Sequence, residues 1–230
     1  MNGVKWSRRS EQHDTIIIVC TGPSLKDFDF DNIKDKGYII AVNDAGKYVP
    51  FADAWFTLDP WGVGTNGRQL PKKFDGTMYA AVPEDYALSH AKTTDHRVYS
   101  NSSLRYLHRI PFHTTPDIQP YEYLTWGLSE DTSCINTGNS GFGALNLAYH
   151  MNPKRIILLG LDASSGYFFD ENKRTRSLNH LPLIFRSTVP QLKKKKIEVL
   201  NGSPTSNIDC FSRYTLPMIQ KKLDSYAKIK

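Results

Sequence analysis

The stretch best suited to chemistry is Thr21-Gly22-Pro23-Ser24-Leu25, which follows a β-branched run from Thr15 to Cys20. A short, continuous apolar run of this kind fits a parallel strand buried on both faces. Gly22 has no Cβ to block a ligand, Pro23 fixes φ for a first helical turn, and Ser24 supplies a hydroxyl. Backbone N–H groups at such a strand-to-helix corner are expected to point outward unpaired, where an anion or a nucleotide can sit on them. An ordinary βα turn closed by Gly and Pro has the same composition. Other strand-like runs also finish in polar clusters: Tyr38 to Val42 leads into Asn43-Asp44-Ala45-Gly46, Ala52 to Leu58 into Asp59-Pro60-Trp61, and Arg155 to Leu161 into Asp162.

Two further stretches carry candidate groups. Asn139 or Ser140 can cap a helix running through Met151, and its small residues Gly141, Gly143, Ala144 and Ala148 permit close packing on a sheet. Tyr167, Phe168 and Phe169 stand beside Lys173, Arg174 and Arg176 in the loop from Ala163 to Asn179, a mixture suited to a flap over a phosphate-bearing ligand. Asp59 has no Asp-x-Asp partner, and an Asp-Pro pair is usually a turn, so no metal site is expected. Cys20, Cys134 and Cys210 show neither a CxxC pair nor Cys/His ligand spacing, and their odd number argues for reduced thiols rather than a disulfide framework.

The elements that must position these groups read as one α/β domain over residues 1–230, with a Rossmann-like open, mostly parallel sheet and helices on both faces. Strands are expected at Thr15 to Cys20, Tyr38 to Val42, Ala52 to Leu58, Thr77 to Val82, Arg155 to Leu161 and Ile197 to Leu200, with Asp95 to Tyr99 a candidate for one more. Helices are expected from Asn139 or Ser140 through Met151, from Pro182 to Lys195, and from Leu216 onward. Residues 1–14 form a polar lead-in, 101–133 an irregular insertion serving as lid or acceptor segment, and 163–180 the flap. In such sheets ligands bind beyond the carboxyl ends of the strands, near the switch point, so the polar clusters would line one crevice.

With these residues placed, the chain resembles the sialyltransferases of glycosyltransferase family 42, and more closely a broad set of phage-encoded and bacterial Rossmann-like proteins related to them. The matching features are Thr21 to Leu25 after the first strand, the strand ending in Asn43, and Thr137 through Gly141 opening a helix. Gly160-Leu161-Asp162 and the turn Asn201-Gly202-Ser203 before Phe211 complete the match. The resemblance implies a cytidine monophosphate sugar donor, or a uridine diphosphate relative, held by Gly22, Pro23, Ser24, Asn43, Thr137, Ser140, Gly141, Asp162, Asn201 and Ser203, with Asp59 on the same rim. It further implies His180 as general base and Tyr167 as the group that stabilises the leaving phosphate. Cys20 departs from the family, which has glycine two positions before Gly22.

The function expected on this basis is a nucleotide-sugar-dependent glycosyltransferase, inverting and metal-independent, that moves a sugar to a hydroxyl acceptor and requires no cofactor. That acceptor is a glycan or, given the net charge of +6 and the run Lys193 to Lys196, a modified nucleic acid. Two alternatives stay open. A hydroxymethylpterin-pyrophosphokinase-like enzyme would use ATP and Mg²⁺, with Asp44, Asp59 and Asp162 as ligands. A non-catalytic nucleotide-binding or nucleotide-sensing module would keep the crevice without the chemistry. The apolar runs are far shorter than the ~20 residues of a membrane-spanning helix, and the polar N-terminal stretch lacks the apolar core of a signal peptide, so a cytoplasmic protein is expected.

Overall fold

A computed structural model describes residues 13–58, 74–82, 104–109, 126–136, 139–164, 166–170 and 178–227. The strands are β1 (Thr15–Val19), β2 (Tyr38–Val42), β3 (Ala54–Thr57), β4 (Thr77–Val82), β5 (Leu104–Arg109), β6 (Cys134–Ile135), β7 (Arg155–Leu159), β8 (Glu198–Asn201) and β9 (Ser212–Arg213). They form one sheet in the order β6-β5-β4-β3-β2-β1-β7-β8-β9, and every pairing is parallel. The strands step outward from β1 in one direction through β6, and then β7 returns to the other side of β1. The switch point therefore lies between β1 and β7.

The central strands are apolar throughout because both of their faces are covered. Ile16 and Ile18 of β1, Tyr38 and Ile40 of β2, and Ile156 and Leu158 of β7 enter one core cluster. Their neighbours Ile17, Val19, Ile39, Ala41, Ile157 and Leu159 enter the other. The first cluster is closed by α1 (Ser140–His150), α2 (Leu181–Ser187) and α3 (Val189–Lys194). The second is closed by the C-terminal helix α4 (Leu216–Ala227), through Ile219 and Leu223, and by short 3₁₀ segments. An α/β fold with an open parallel sheet covered on both faces is what the alternation of strand-like and helical runs predicts.

Several boundaries differ from the sequence reading. The segments after β1 are 3₁₀ turns, Pro23–Leu25 and Phe30–Ile33, and not a helix. Asp27 and Asp35 take φ of 61° just after these turns and stop each one, while Asp29 caps the start of the second by accepting the Asp31 N–H (3.0 Å). The expected helix Pro182 to Lys195 is two helices, broken at Thr188, whose hydroxyl donates to the Phe185 carbonyl (2.7 Å) just ahead of Pro190. The segment 101–133 is not wholly irregular, because β5 lies in it, in register Met78↔Leu104 with β4. The two-residue strands β6 and β9 were also not expected, since neither carries an apolar run. Asp95 to Tyr99 lies outside the described residues.

α1 is buried on every side and is the pivot of the first layer. Asn139 caps it, its Oδ1 accepting the Phe142 N–H (2.9 Å). At its other end His150 and Asn146 hold residues 126–136 against the sheet. Asn146 Oδ1 accepts the N–H groups of Ser129 (2.8 Å) and Asn136 (3.0 Å), and His150 Nε2 lies 2.9 Å from the Cys134 carbonyl oxygen. Burial is the main force holding the His150 imidazole below its ordinary pKa. The Lys195 charge acts in the same direction, while the Cys134 carbonyl and the charges of Asp131 and Glu130 oppose it. A depressed folded-state pKa means that the unfolded chain takes up the proton first. Stability contributed by neutral His150 is therefore complete above the ordinary imidazole pKa of about 6.5 and falls as pH drops toward the folded-state value. Urea unfolding of wild type and His150→Gln at pH 7.5 and at pH 5 tests this: wild type should lose more stability on acidification than the variant, and equal losses would refute it.

Candidate functional site

The corner after β1 and the loop after β7 meet at the switch point. Gly160 with φ 64° and Ala163 with φ 53° turn the chain after β7 back over the end of β1. Asp162, only 3% exposed, is thereby brought against Gly22. Its Oδ2 accepts the Ser24 N–H at 2.8 Å. Gly22 N donates to the Gly160 carbonyl (2.8 Å) and Leu25 N to the Gly22 carbonyl (3.2 Å). The expected outward-pointing, unpaired N–H groups at this corner are thus corrected: the amides of Gly22, Ser24 and Leu25 are engaged, and a carboxylate of the chain itself lies where an external anion was expected. A Cβ on Gly22 would collide with Asp162 Oδ2 and the Gly160 carbonyl, so these two groups are enough to require glycine here.

The other oxygen of this carboxylate is the notable group. Asp162 Oδ1 is buried and has no hydrogen-bond partner among the described residues. Leaving such an acceptor unmet costs roughly 1–3 kcal/mol or more, which a bound donor would recover. Beside it, the Cys20 thiol is pushed up to about 12, by burial first and by the Asp162 charge second. Cys20 is therefore a packed thiol and not a nucleophile.

Ser203 and Asn201 come to the same place from β8 but lie beneath the surface, both 0% exposed. Ser203 Oγ accepts from the Ser24 hydroxyl (3.1 Å) and the Leu161 N–H (3.2 Å), while Asn201 Oδ1 accepts the Ser203 N–H (3.0 Å). These two residues brace the corner from behind. The start of α1 closes the remaining side, with Gly141 packed on Leu161 and Cys20. With Phe142 N bound to Asn139 Oδ1 and Gly143 N to the Asn139 carbonyl, the N–H groups of Ser140 and Gly141 are the first-turn donors left over among the described residues.

Asn43 stands at the end of β2 on the same rim, in a left-handed conformation with φ 53°. Its Oδ1 accepts the Thr57 hydroxyl (2.8 Å), and its carbonyl accepts Trp55 Nε1 (2.8 Å). Asp44 beside it pairs with Lys47 (2.9 Å). Asp59 and Thr137 lie outside the described residues, as do Lys173, Arg174 and Arg176 of the flap. Pro23 opens the 3₁₀ turn Pro23–Leu25.

The flap is tied to the corner, since Phe168 N donates to the Thr21 carbonyl at 3.1 Å. Tyr167 belongs to this part of the flap, its ring 5.2 Å from that of Phe169. His180 immediately precedes α2, and its imidazole makes no hydrogen bond or ion pair among the described residues. Because α2 and α3 carry the chain from the carboxyl end of β7 to the amino end of β8, His180 belongs to the same sheet edge as Asp162. Lys193 to Lys196 belong to the opposite edge, where β8 enters beside Lys154. The aromatic Tyr48, which packs on the flap after the Asn43–Lys47 turn, was missed by the sequence reading. A tyrosine one turn beyond a strand end was the available signal.

No protein-family model, characterised protein or solved structure matches the chain. Among the described residues no group of three or more His, Cys, Asp or Glu is arranged to hold a metal ion, and no helix is long and apolar enough to cross a membrane.

The contact between Gly22 and Asp162 yields a direct expectation. Gly22→Ala should lower the unfolding free energy by about 1–3 kcal/mol, the cost of overpacking a filled site. Chemical denaturation of both proteins measures it, and an unchanged midpoint would contradict the placement of Asp162.

Proposed function

We propose that the protein is a nucleotide-sugar-dependent glycosyltransferase that moves a sugar, with inversion, to a hydroxyl acceptor. The observation that carries this reading is the buried, unpartnered Oδ1 of Asp162 at the switch point, an acceptor suited to a ligand hydroxyl. The leftover N–H groups at the start of α1 suit the phosphate of the same ligand. The order of motifs shared with family 42 sialyltransferases supports the same reading. In the reaction, the acceptor oxygen bonds to the anomeric carbon as the bond from that carbon to the phosphate oxygen breaks. His180 takes the acceptor proton, the nucleotide leaves with the electron pair, and the Tyr167 hydroxyl donates to the departing phosphate. The donor is a CMP- or UDP-linked sugar, and the acceptor is a glycan or a modified nucleic acid.

A second reading, a nucleotide-binding or nucleotide-sensing module without turnover, is favoured by one feature: no neighbour among the described residues holds the His180 imidazole in place for proton transfer. The pyrophosphokinase alternative gains nothing comparable, because Asp44 is paired with Lys47 and one oxygen of Asp162 is committed to Ser24.

Thermal shift with CMP, UMP, UDP and their sugar conjugates, followed by mass spectrometry of added acceptors, tests the assignment. At a ligand concentration of 100 Kd, binding adds about 2.7 kcal/mol, which corresponds to a rise in Tm of about 5–10 °C. His180→Ala should keep that rise and lose transfer. Binding without any transfer by wild type would select the sensing module, and no shift with any nucleotide would reject both readings.

A further inference from the structure

Beside the corner, six partly exposed aromatic side chains form a chain of ring contacts: Phe28 on Phe30, Phe30 on Phe168, Phe168 on Tyr48, Tyr48 on Phe169, and Phe169 on Tyr167. Tyr48 and Phe169 are nearly parallel, 16° apart with centroids at 5.3 Å. Tyr48 is nevertheless 40% exposed, one of four large hydrophobic side chains so open among the described residues. Phe28, Phe30 and Phe168 lean on the second core cluster, whereas Tyr48, Phe169 and Tyr167 do not, and partly exposed aromatics of the latter kind mark a contact surface.

Its position fixes the occupant. Phe168 N is bonded to the Thr21 carbonyl, and Thr21 adjoins Gly22, against which the Asp162 carboxylate rests. The aromatic surface therefore lies beside the corner that Asp162 Oδ2 holds. Tyr48 directly follows the turn Asn43–Lys47 at the carboxyl end of β2, on the rim that carries the corner. A ligand that presents a hydroxyl to Asp162 and a flat, polar-edged ring to its neighbours is a nucleoside.

We infer that Tyr48, with Phe168 and Phe169, forms a stacking platform for the base of the nucleotide. This rests on the nucleotide reading above and adds to it the group that distinguishes a nucleotide from a bare sugar phosphate. Stacking accepts any base, because every base has a π-face. The platform supplies affinity for a base, and the choice among bases belongs to polar groups at its edge.

Isothermal titration of the full chain with CMP, UMP, AMP, GMP and ribose 5-phosphate tests the platform. Wild type should bind at least one of the four nucleotides about tenfold more tightly than ribose 5-phosphate, in line with the measured value of base–aromatic stacking. Tyr48→Ala should erase that difference and leave ribose 5-phosphate affinity unchanged, while Tyr48→Phe and Tyr48→Trp retain it. The inference is overturned if Tyr48→Ala keeps the preference for a base, or if it weakens nucleotide and ribose 5-phosphate alike, since the ring would then only hold the flap. Binding of all five probes with equal affinity by wild type would overturn it while leaving a phosphosugar site, and binding of none would remove the nucleotide reading itself.

Discussion

A buried carboxylate must find donors, and the way Asp162 finds one organises the carboxyl rim of the sheet. Its Oδ2 takes the Ser24 N–H, which fastens the corner after β1 to the loop after β7 across the switch point. That single contact explains why residue 22 lacks a side chain, why Gly160 and Ala163 adopt left-handed conformations to deliver the aspartate, and why Ser24 can reach Ser203. Burial first, and the Asp162 charge second, raise the neighbouring Cys20 thiol far out of the reactive range. A half-satisfied buried carboxylate is costly to a fold, and a site whose remaining oxygen is open stays in the structure most readily when a ligand completes it.

The middle of the sheet was legible because its strands are buried twice over. Ile16 to Val19 and Ile156 to Leu159 have no polar alternation to confuse with a surface strand, and they lie where their composition predicts. The edges were not legible for the complementary reason. β5, with Arg105, His108 and Arg109 among its six residues, and the two-residue strands β6 and β9 are defined by the neighbours they pair with rather than by their own pattern. Local turn chemistry decided the 3₁₀ segments after β1, where Asp27 and Asp35 in left-handed conformations end each turn.

At the Gly22 corner the sequence marked a close approach but not the group that makes it. A glycine announces a place where a Cβ cannot fit, but not what excludes it, and here the excluding group is a side chain 140 positions further along. Asn201 and Ser203 were legible as a polar turn at a strand end, yet their hydrogen bonds are spent on Ile208, Leu161 and one another. Tyr48 was invisible because its meaning depends on Phe168 and Phe169, which reach it only after the flap folds back onto Thr21.

The distribution of charge over the two sheet edges constrains how a nucleotide would lie. Lys193 to Lys196 stand at the amino edge, so the net charge of +6 says little about the crevice. At the carboxyl rim the fixed groups have opposite preferences: the Asp162 charge disfavours anions, while the start of α1 favours them. Two like charges about 4 Å apart repel by roughly 1 kcal/mol in water and about 4 kcal/mol at a partly buried site. On the nucleotide reading proposed above, a phosphate would be repelled from the Gly22 corner and drawn toward Ser140 and Gly141, which would leave the hydroxyls of the same ligand nearer Asp162 and its ring nearer Tyr48. The orientation follows from repulsion at one end as much as from attraction at the other.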